Sequence, residues 1–161
     1  KEENIFDEKD IIPEVKNKIN DLLNRVHTLM SPEFQDTDIQ FEMQHPQEDF
    51  TIIADMELLE QALINLIKNA KEAFDSYLGT ELKKVILSAD NVDGFTTITI
   101  KDNGPGISKD LQEDIFIPFY TTKKGGSGVG LALSRQIMRL HKGQLLLSSE
   151  EGKGSAFILR Y

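Results

Sequence analysis

The sequence predicts an α+β fold: a two-layer sandwich with helices on one face of a mixed, mostly antiparallel sheet. Three segments carry apolar residues at helical spacing, and six shorter ones read as strands. The two kinds mix without the regular strand–helix alternation of a parallel α/β fold. Tight-turn residues join strands that follow one another, at Asp93-Gly94 and at Glu151 to Gly154. A chain of 161 residues fits one domain. It can bury roughly 70% of its extended surface, so it needs no covalent staple.

Residues 13–30, from Pro13, form the first expected helix, with Val15, Ile19, Leu22, Leu23, Val26 and Met30 along one stripe. Ser31-Pro32 ends it. Ile39 to Met43 and Phe50 to Ala54 read as short strands. Asp55 can cap a second helix running to about Leu78, where Gly79 stops it. Lys84 to Ala89 and Phe95 to Asp102 make two strands. A long loop of little regular pattern follows. A third helix spans about Gly128 to His141, and Lys142-Gly143 ends it. Gln144 to Ser149 and Ser155 to Tyr161 close the sheet.

Composition excludes several functions. Acidic residues number 27 against 18 basic, giving a net charge of −9. A broad nucleic-acid surface needs clustered Lys and Arg, so none is expected. A phosphate ligand would have to be met by a local device such as a helix N-terminus. The absence of cysteine rules out disulfides, thiolate metal sites and a cysteine nucleophile. No apolar run approaches the roughly 20 residues of a membrane span, and no secretory leader is visible. The chain starts at Lys1 without Met, as expected of a fragment.

Three places combine unusual residues with special geometry. In the second helix Leu59, Ala62, Leu63, Leu66, Ala70, Ala73 and Phe74 make a buried stripe, and Asn65, Asn69, Glu72 and Ser76 run along its edge. Asn is a mediocre helix former. Two of them one turn apart either bond to neighbouring loops or offer amide oxygens to a cleft, where a hard cation such as Mg²⁺ would accept them. On the strand ending "ITIKDNGPGI", parity puts Asp102 on the same inward face as Ile98 and Ile100. An inward carboxylate needs donors. The turn's own amides can supply them, or a ligand N–H can, with Gly104 and Gly106 allowing close approach. In "GGSGVGLALS", Gly126, Gly128 and Gly130 lead into a helix. Such a start is either a hinge or an anion site. It is not a Walker A loop, because Leu131 and Ala132 follow where Lys and Ser/Thr would stand, and no protein-kinase signature set exists.

The order of these features resembles the catalytic ATP-binding domain of sensor histidine kinases, members of the gyrase, chaperone, histidine kinase and mismatch-repair ATPase superfamily. "NLIKNAKEA" resembles their N box and "DNGPGI" their G1 box. "FIPFYTTK" resembles the F box, "GSGVGLALS" the G2 box, and "GKGSAF" the closing glycine turn. The resemblance covers nearly the whole chain. It implies a Bergerat-type fold over residues 1–161, with an ATP lid at about 103–127 and the phospho-acceptor dimerisation domain absent. It implies ATP and Mg²⁺ as cofactors. By the family's pattern Asp102 accepts the adenine amine, flanked by Gly104, Gly106 and Ile107. Asn69 holds Mg²⁺, with Asn65 beside it in the catalytic pair. Gly126, Ser127, Gly128, Val129, Gly130 and Leu131 contact the triphosphate. Phe116, Phe119 and Tyr120 anchor the lid, and Lys123 can reach a terminal phosphate.

The implied activity is transfer of the γ-phosphoryl group to a histidine on the dimerisation domain of the same kinase, for relay to a response regulator. The parent is expected to be a homodimer, with this part cytoplasmic and a membrane anchor left open elsewhere. His27 has Pro32 five residues on, the spacing of an acceptor box, but Thr28 replaces the usual acid and Met30 the usual Arg or Asn. Only 37 residues separate His27 from Asn65, too few for a second dimerisation helix plus the first strands. His27 is therefore not read as the acceptor. His45 lies in a polar loop, and His141 stands at a helix C-terminus, where a cation would oppose the dipole. The rival readings are an ATP-hydrolysing switch or serine kinase of the same superfamily, and a degenerate nucleotide-sensing module. The first rivals carry a water-activating Glu where this chain has Asn65.

Overall fold

The computed structural model describes residues 16–121 and 128–161. In chain order the elements are β1 (Lys16–Lys18), α1 (Ile19–Met30), β2 (Ile39–Gln44), β3 (Thr51–Ile53), α2 (Met56–Ala73), β4 (Lys83–Val92), β5 (Phe95–Asp102), α3 (Gly130–Leu140), β6 (Gln144–Glu150) and β7 (Gly154–Arg160). Five strands form one sheet in the order β2-β4-β5-β7-β6, with β1 and β3 paired apart as a small ribbon. Only the β2–β4 pair is parallel, so the sheet is mixed and mostly antiparallel.

Alternation along the strands decides which face meets the helices. Val85, Leu87 and Ala89 of β4, Ile98 and Ile100 of β5, Leu145 of β6, and Phe157 and Leu159 of β7 are buried. Against them lie Ile19, Leu22, Leu23 and Val26 of α1, Leu59, Leu63, Leu66 and Ile67 of α2, and Ile137 and Met138 of α3, all fully buried. Each large side chain removed from water contributes roughly 1.5–3 kcal/mol. Ile67 lies outside the stripe read from the sequence. It is buried because α2 packs on α1 as well as on the sheet. Between these helices Arg25 forms an ion pair with the buried Glu60.

Turn chemistry sets the hairpins. Asp93 and Gly94 both have positive φ, 53° and 82°, as a two-residue hairpin turn requires. Three boundaries differ from the sequence reading. Helix α1 starts at Ile19 because Lys16 to Lys18 pair with Thr51 to Ile53, and the Phe50 carbonyl takes the Ile19 N–H at 2.9 Å. Residues 13–15 lie outside the described residues. Helix α2 ends at Ala73, gives one 3₁₀ turn over Phe74–Ser76, and leaves Leu78 exposed. Helix α3 starts at Gly130, since Gly128 has φ of 71°.

Candidate functional site

The site is built along α2. Asp55 caps its start: a carboxylate oxygen accepts from the Leu58 N–H at 3.0 Å. Asn65 and Asn69 follow on one side, both partly buried. At the C-terminal turn, Gly104 packs so close that an added Cβ would stand 3.8 Å from the Ala73 Cβ and 3.6 Å from the Phe74 ring. A Cβ on Gly130, the first residue of α3, would stand 3.8 Å from the Asn65 side chain. Helix α2 therefore spaces the two glycine loops. From Asn65 to Ala73 the rise is about 12 Å, with Asn69 midway.

At the base of this cleft lies Asp102, 4% exposed at the end of β5. One of its oxygens accepts the Gly104 N–H at 2.9 Å, the local turn bond that the sequence left open. Burial pushes the carboxyl up to about 6, against hydrogen bonds from the backbone amides of Gly104 and Ser155 that favour the anion. At neutral pH the group is mostly ionised and buried.

The turn after Asp102 is held from behind by the β6–β7 hairpin. Gly106, with φ of 71°, faces Glu150, whose carbonyl oxygen would meet an added Cβ at 2.2 Å. Glycine at this position is required by this contact within the chain. The Ile107 N–H donates to Ser149 Oγ at 2.8 Å, and the Ile107 carbonyl accepts from Gln112 Nε2 at 2.9 Å. Its backbone is thus spoken for. Gly152 N–H donates to the Pro105 carbonyl at 2.7 Å. Ser149 and Gln112 escaped the sequence reading, since a Ser in a strand and a Gln in a loop give no signal.

The start of α3 has a different character. Val129 makes no side-chain cap, and the first turn holds no acidic residue. Gly128 packs on Phe119 and Tyr120, and its carbonyl accepts the Phe119 N–H at 2.9 Å. The Phe116 ring lies edge-on to Phe157 at 6.4 Å, with the Arg135 guanidinium 5.5 Å from its centre. Tyr120 is half-buried. Phe119 is 72% exposed with φ of 66°, so it is no anchor. Its strained backbone points the ring away from the apolar layer. Val129 and Leu131 lie partly buried beside Gly130, Leu131 against the core. Lys123, Gly126 and Ser127 lie outside the described residues.

The amide of Asn65 supplies a test of fit for a bound group. Its Nδ2 is buried with no hydrogen-bond partner among the described residues. Amide nitrogen and oxygen are assigned from their surroundings, so the same position can present either a donor or an acceptor. The described residues hold no cluster of three or more His, Asp or Glu fit for a metal. A neutral amide donor set fits Mg²⁺ only where nucleotide phosphates and waters supply the rest of its shell.

The histidines have structural partners. The His27 ring stacks on Phe41 at 5.0 Å, and Ser31 Oγ donates to the His27 carbonyl at 2.6 Å. His45 Nε2 meets Asn24 Oδ1 at 3.1 Å. His141 Nδ1 bonds the Ile137 carbonyl at 2.7 Å, and Nε2 takes the Asp55 N–H at 3.1 Å. Burial pushes its pKa below the ordinary value, so the ring is a neutral clip and does not oppose the helix dipole as a cation. A hollow of about 720 Å³ lies between Gln44–Phe50 and Ser88–Asn91. It is at the far end of β4 from Asp102, and its Glu48, Asp49 and Asp90 would repel phosphate.

A buried carboxylate turn thus lies at the C-terminal end of α2, and the uncapped start of α3 lies beside its middle, at Asn65. Residues 54–161 match the profile of the histidine kinase-, DNA gyrase B-, and HSP90-like ATPases, and the chain belongs to that family. Among curated relatives, the signal transduction histidine-protein kinase AtoS of Escherichia coli is 43% identical over 108 residues, which is 67% of this chain and 17% of AtoS. The catalytic domain of histidine kinase ThkA, in a nucleotide-free form, superposes with a TM-score of 0.78 at 30% identity, covering 91% of this chain and 93% of that one. Full-length ShkA in complex with AMPPNP gives 0.80 at 29% identity, covering 91% of this chain and 30% of ShkA. The chain thus spans well under two thirds of its curated relatives. Among the described residues no helix is long and apolar enough to cross a membrane.

Proposed function

We propose that this chain is the ATP-binding catalytic domain of a sensor histidine kinase. It binds Mg²⁺-ATP and presents the γ-phosphate to a histidine on a separate helical dimerisation domain of its homodimeric parent. The observation that carries the reading is the spacing along α2: the Asp102 turn against Ala73, the α3 N-terminus against Asn65, and Asn69 between them. That span suits a nucleotide with its base at Asp102 and its phosphates at α3. The AMPPNP complex of ShkA supports the choice of nucleotide.

Each residue has a task. The ionised Asp102 accepts the exocyclic amine of adenine, a further donor beside the Gly104 and Ser155 amides. Gly104 keeps the turn close to α2. Gly128, Val129, Gly130 and Leu131 turn backbone N–H groups and the helix dipole toward the phosphates. Gly126, Ser127 and Lys123 belong to the same proposal on their motif alone. Asn69 holds Mg²⁺ by its amide oxygen, and the orphan amide of Asn65 orients the terminal phosphate. Mg²⁺, when bound, neutralises charge that develops as the phosphorus leaves the β-phosphate oxygen. Phe116 and Tyr120 hold the lid segment against the body and limit water. In the transfer the P–O bond to ADP breaks as a P–N bond to histidine forms, and the imidazole proton leaves to solvent. Asn65 cannot act as a base toward water, so hydrolysis is slow. A response regulator is the next acceptor, and a cytoplasmic site follows from the need for ATP.

The test is reconstitution. Labelled Mg²⁺-ATP is given to this chain with the dimerisation helices of its parent as a separate polypeptide. The expected product is acid-labile phosphohistidine on those helices, with slow hydrolysis and no labelling by the chain alone. Rapid turnover by the isolated chain would favour the ATPase reading. Self-labelling that vanishes in His27→Gln would move the acceptor into this chain.

A further inference from the structure

Helices α2 and α3 touch at three levels. Asp55 N–H donates to His141 Nε2 at 3.1 Å. Ser134 Oγ, bonded to the Gly130 carbonyl at 2.9 Å, lies 3.5 Å from the Ala62 carbonyl. A Cβ added to Gly130 would stand 3.8 Å from the Asn65 side chain, so the start of α3 lies beside Asn65. Asp55 and Ala62 are seven positions apart, and so are Ser134 and His141, so the helices run antiparallel in matched register.

The three contacts differ in strength. Gly130 has no side chain with which to hold Asn65, and the reach from Ser134 to Ala62 is at the limit for a hydrogen bond. A smooth contact of small residues permits sliding. The bond at His141 is directional. It also has one allowed tautomer: Nδ1–H donates to the Ile137 carbonyl at 2.7 Å, which leaves Nε2 bare to accept. The same Asp55 that caps α2 by its side chain ties α3 by its backbone N–H.

We infer that His141 is a positioning residue for nucleotide binding. It fixes the axial register of α3 on α2, and through the rigid helix it sets the α3 N-terminus beside Asn65. The helix rises about 1.5 Å per residue. A slip of a single residue would therefore move the backbone N–H groups out of hydrogen-bond range of a phosphate held by Asn69. This rests on the nucleotide reading above.

Two substitutions separate the two nitrogens. The side-chain amide of His141→Asn can stand where Nδ1 stands and keep the Ile137 bond, but it cannot reach Asp55. That of His141→Gln can reach the place of Nε2 and accept from Asp55. Both variants lose one hydrogen bond, so similar urea midpoints are expected. Calorimetric titration with Mg²⁺-ATP should show His141→Gln near wild type and His141→Asn weaker by roughly tenfold. Equal affinities in the two variants would overturn the inference. If the wild-type chain itself fails to bind, the nucleotide reading fails, and register is judged by NMR. The Gly130 to Asn65 contact should persist in His141→Gln and vanish in His141→Asn; its persistence in both would overturn the claim. If His141→Asn does not fold, the wild-type ring decides: a proton on Nε2 at neutral pH would refute the clip.

Discussion

The α2–α3 pair has one closed end and one open end. At the closed end every polar group named has a partner: the Asp55 carboxylate with Leu58 N–H, the Asp55 N–H with His141, and the His141 Nδ1 with Ile137. At the open end α3 starts without a side-chain cap, the Asn65 Nδ2 is buried without a partner, and Asp102 is buried at a cost that lifts its pKa to about 6. The same two helices thus carry a directional side-chain bond at one end and, at the other, the Asn65 amide that has no partner among the described residues.

The largest effect that breaks this contrast is expected at Asn69. Asn69→Ala should fold normally yet lose most Mg²⁺-ATP binding, read by calorimetric titration with and without the metal. Unchanged metal-dependent affinity would remove Asn69 from the site. Next comes closing the open end by hand. Val129→Asp places an acid at the uncapped start of α3, where it should stabilise the free chain by up to about 1 kcal/mol. The same charge should weaken nucleotide binding by more than roughly tenfold. A variant that binds as wild type would mean that the α3 N-terminus meets no phosphate.

Asp102 gives a pH-dependent comparison. Its folded pKa of about 6 lies above the ordinary value of 3.8. Between these values the folded chain holds more protons than the unfolded one, so this group's contribution is full below about pH 4 and declines as pH rises through about 6. The loss is on the order of 3 kcal/mol. Asp102→Asn should therefore be more stable than wild type at pH 7 in urea unfolding, with the gap closing toward pH 4. A constant gap would show that burial of the charge is not what Asp102 costs. The smallest effect belongs to the closed end. Asp55→Ala removes the cap and keeps the N–H to His141, so about 1 kcal/mol of stability should go while nucleotide affinity stays.

The sequence made much of this legible because period and parity are local. The alternation of Ile98, Ile100 and Asp102 placed the carboxylate inward, and Asp55 read as a cap. What escaped depends on partners far along the chain. The start of α1 was misread because Lys16 to Lys18 find Thr51 to Ile53, which no helical period reveals. The close approach of Gly106 to the Glu150 backbone is likewise invisible in the local sequence. Phe119 looked like part of an aromatic anchor until its positive φ turned it outward. His141 sat where a cation is common, but its partner lies 86 residues away. Long-range contacts decide such roles, and spacing along the chain does not record them.

The central claim is that the open end reads an adenine nucleotide, base at Asp102 and phosphates at α3. Calorimetric titration of the chain with Mg²⁺-ATP and with Mg²⁺-GTP at pH 7 tests it most directly. GTP turns a carbonyl toward the carboxylate where ATP offers an amine, and a site built on one buried hydrogen bond can reject the analogue lacking it by orders of magnitude. The account predicts strong preference for ATP in the wild-type chain and none in Asp102→Ala. Equal binding of ATP and GTP by the wild-type chain would contradict it and leave Asp102 as a turn residue only.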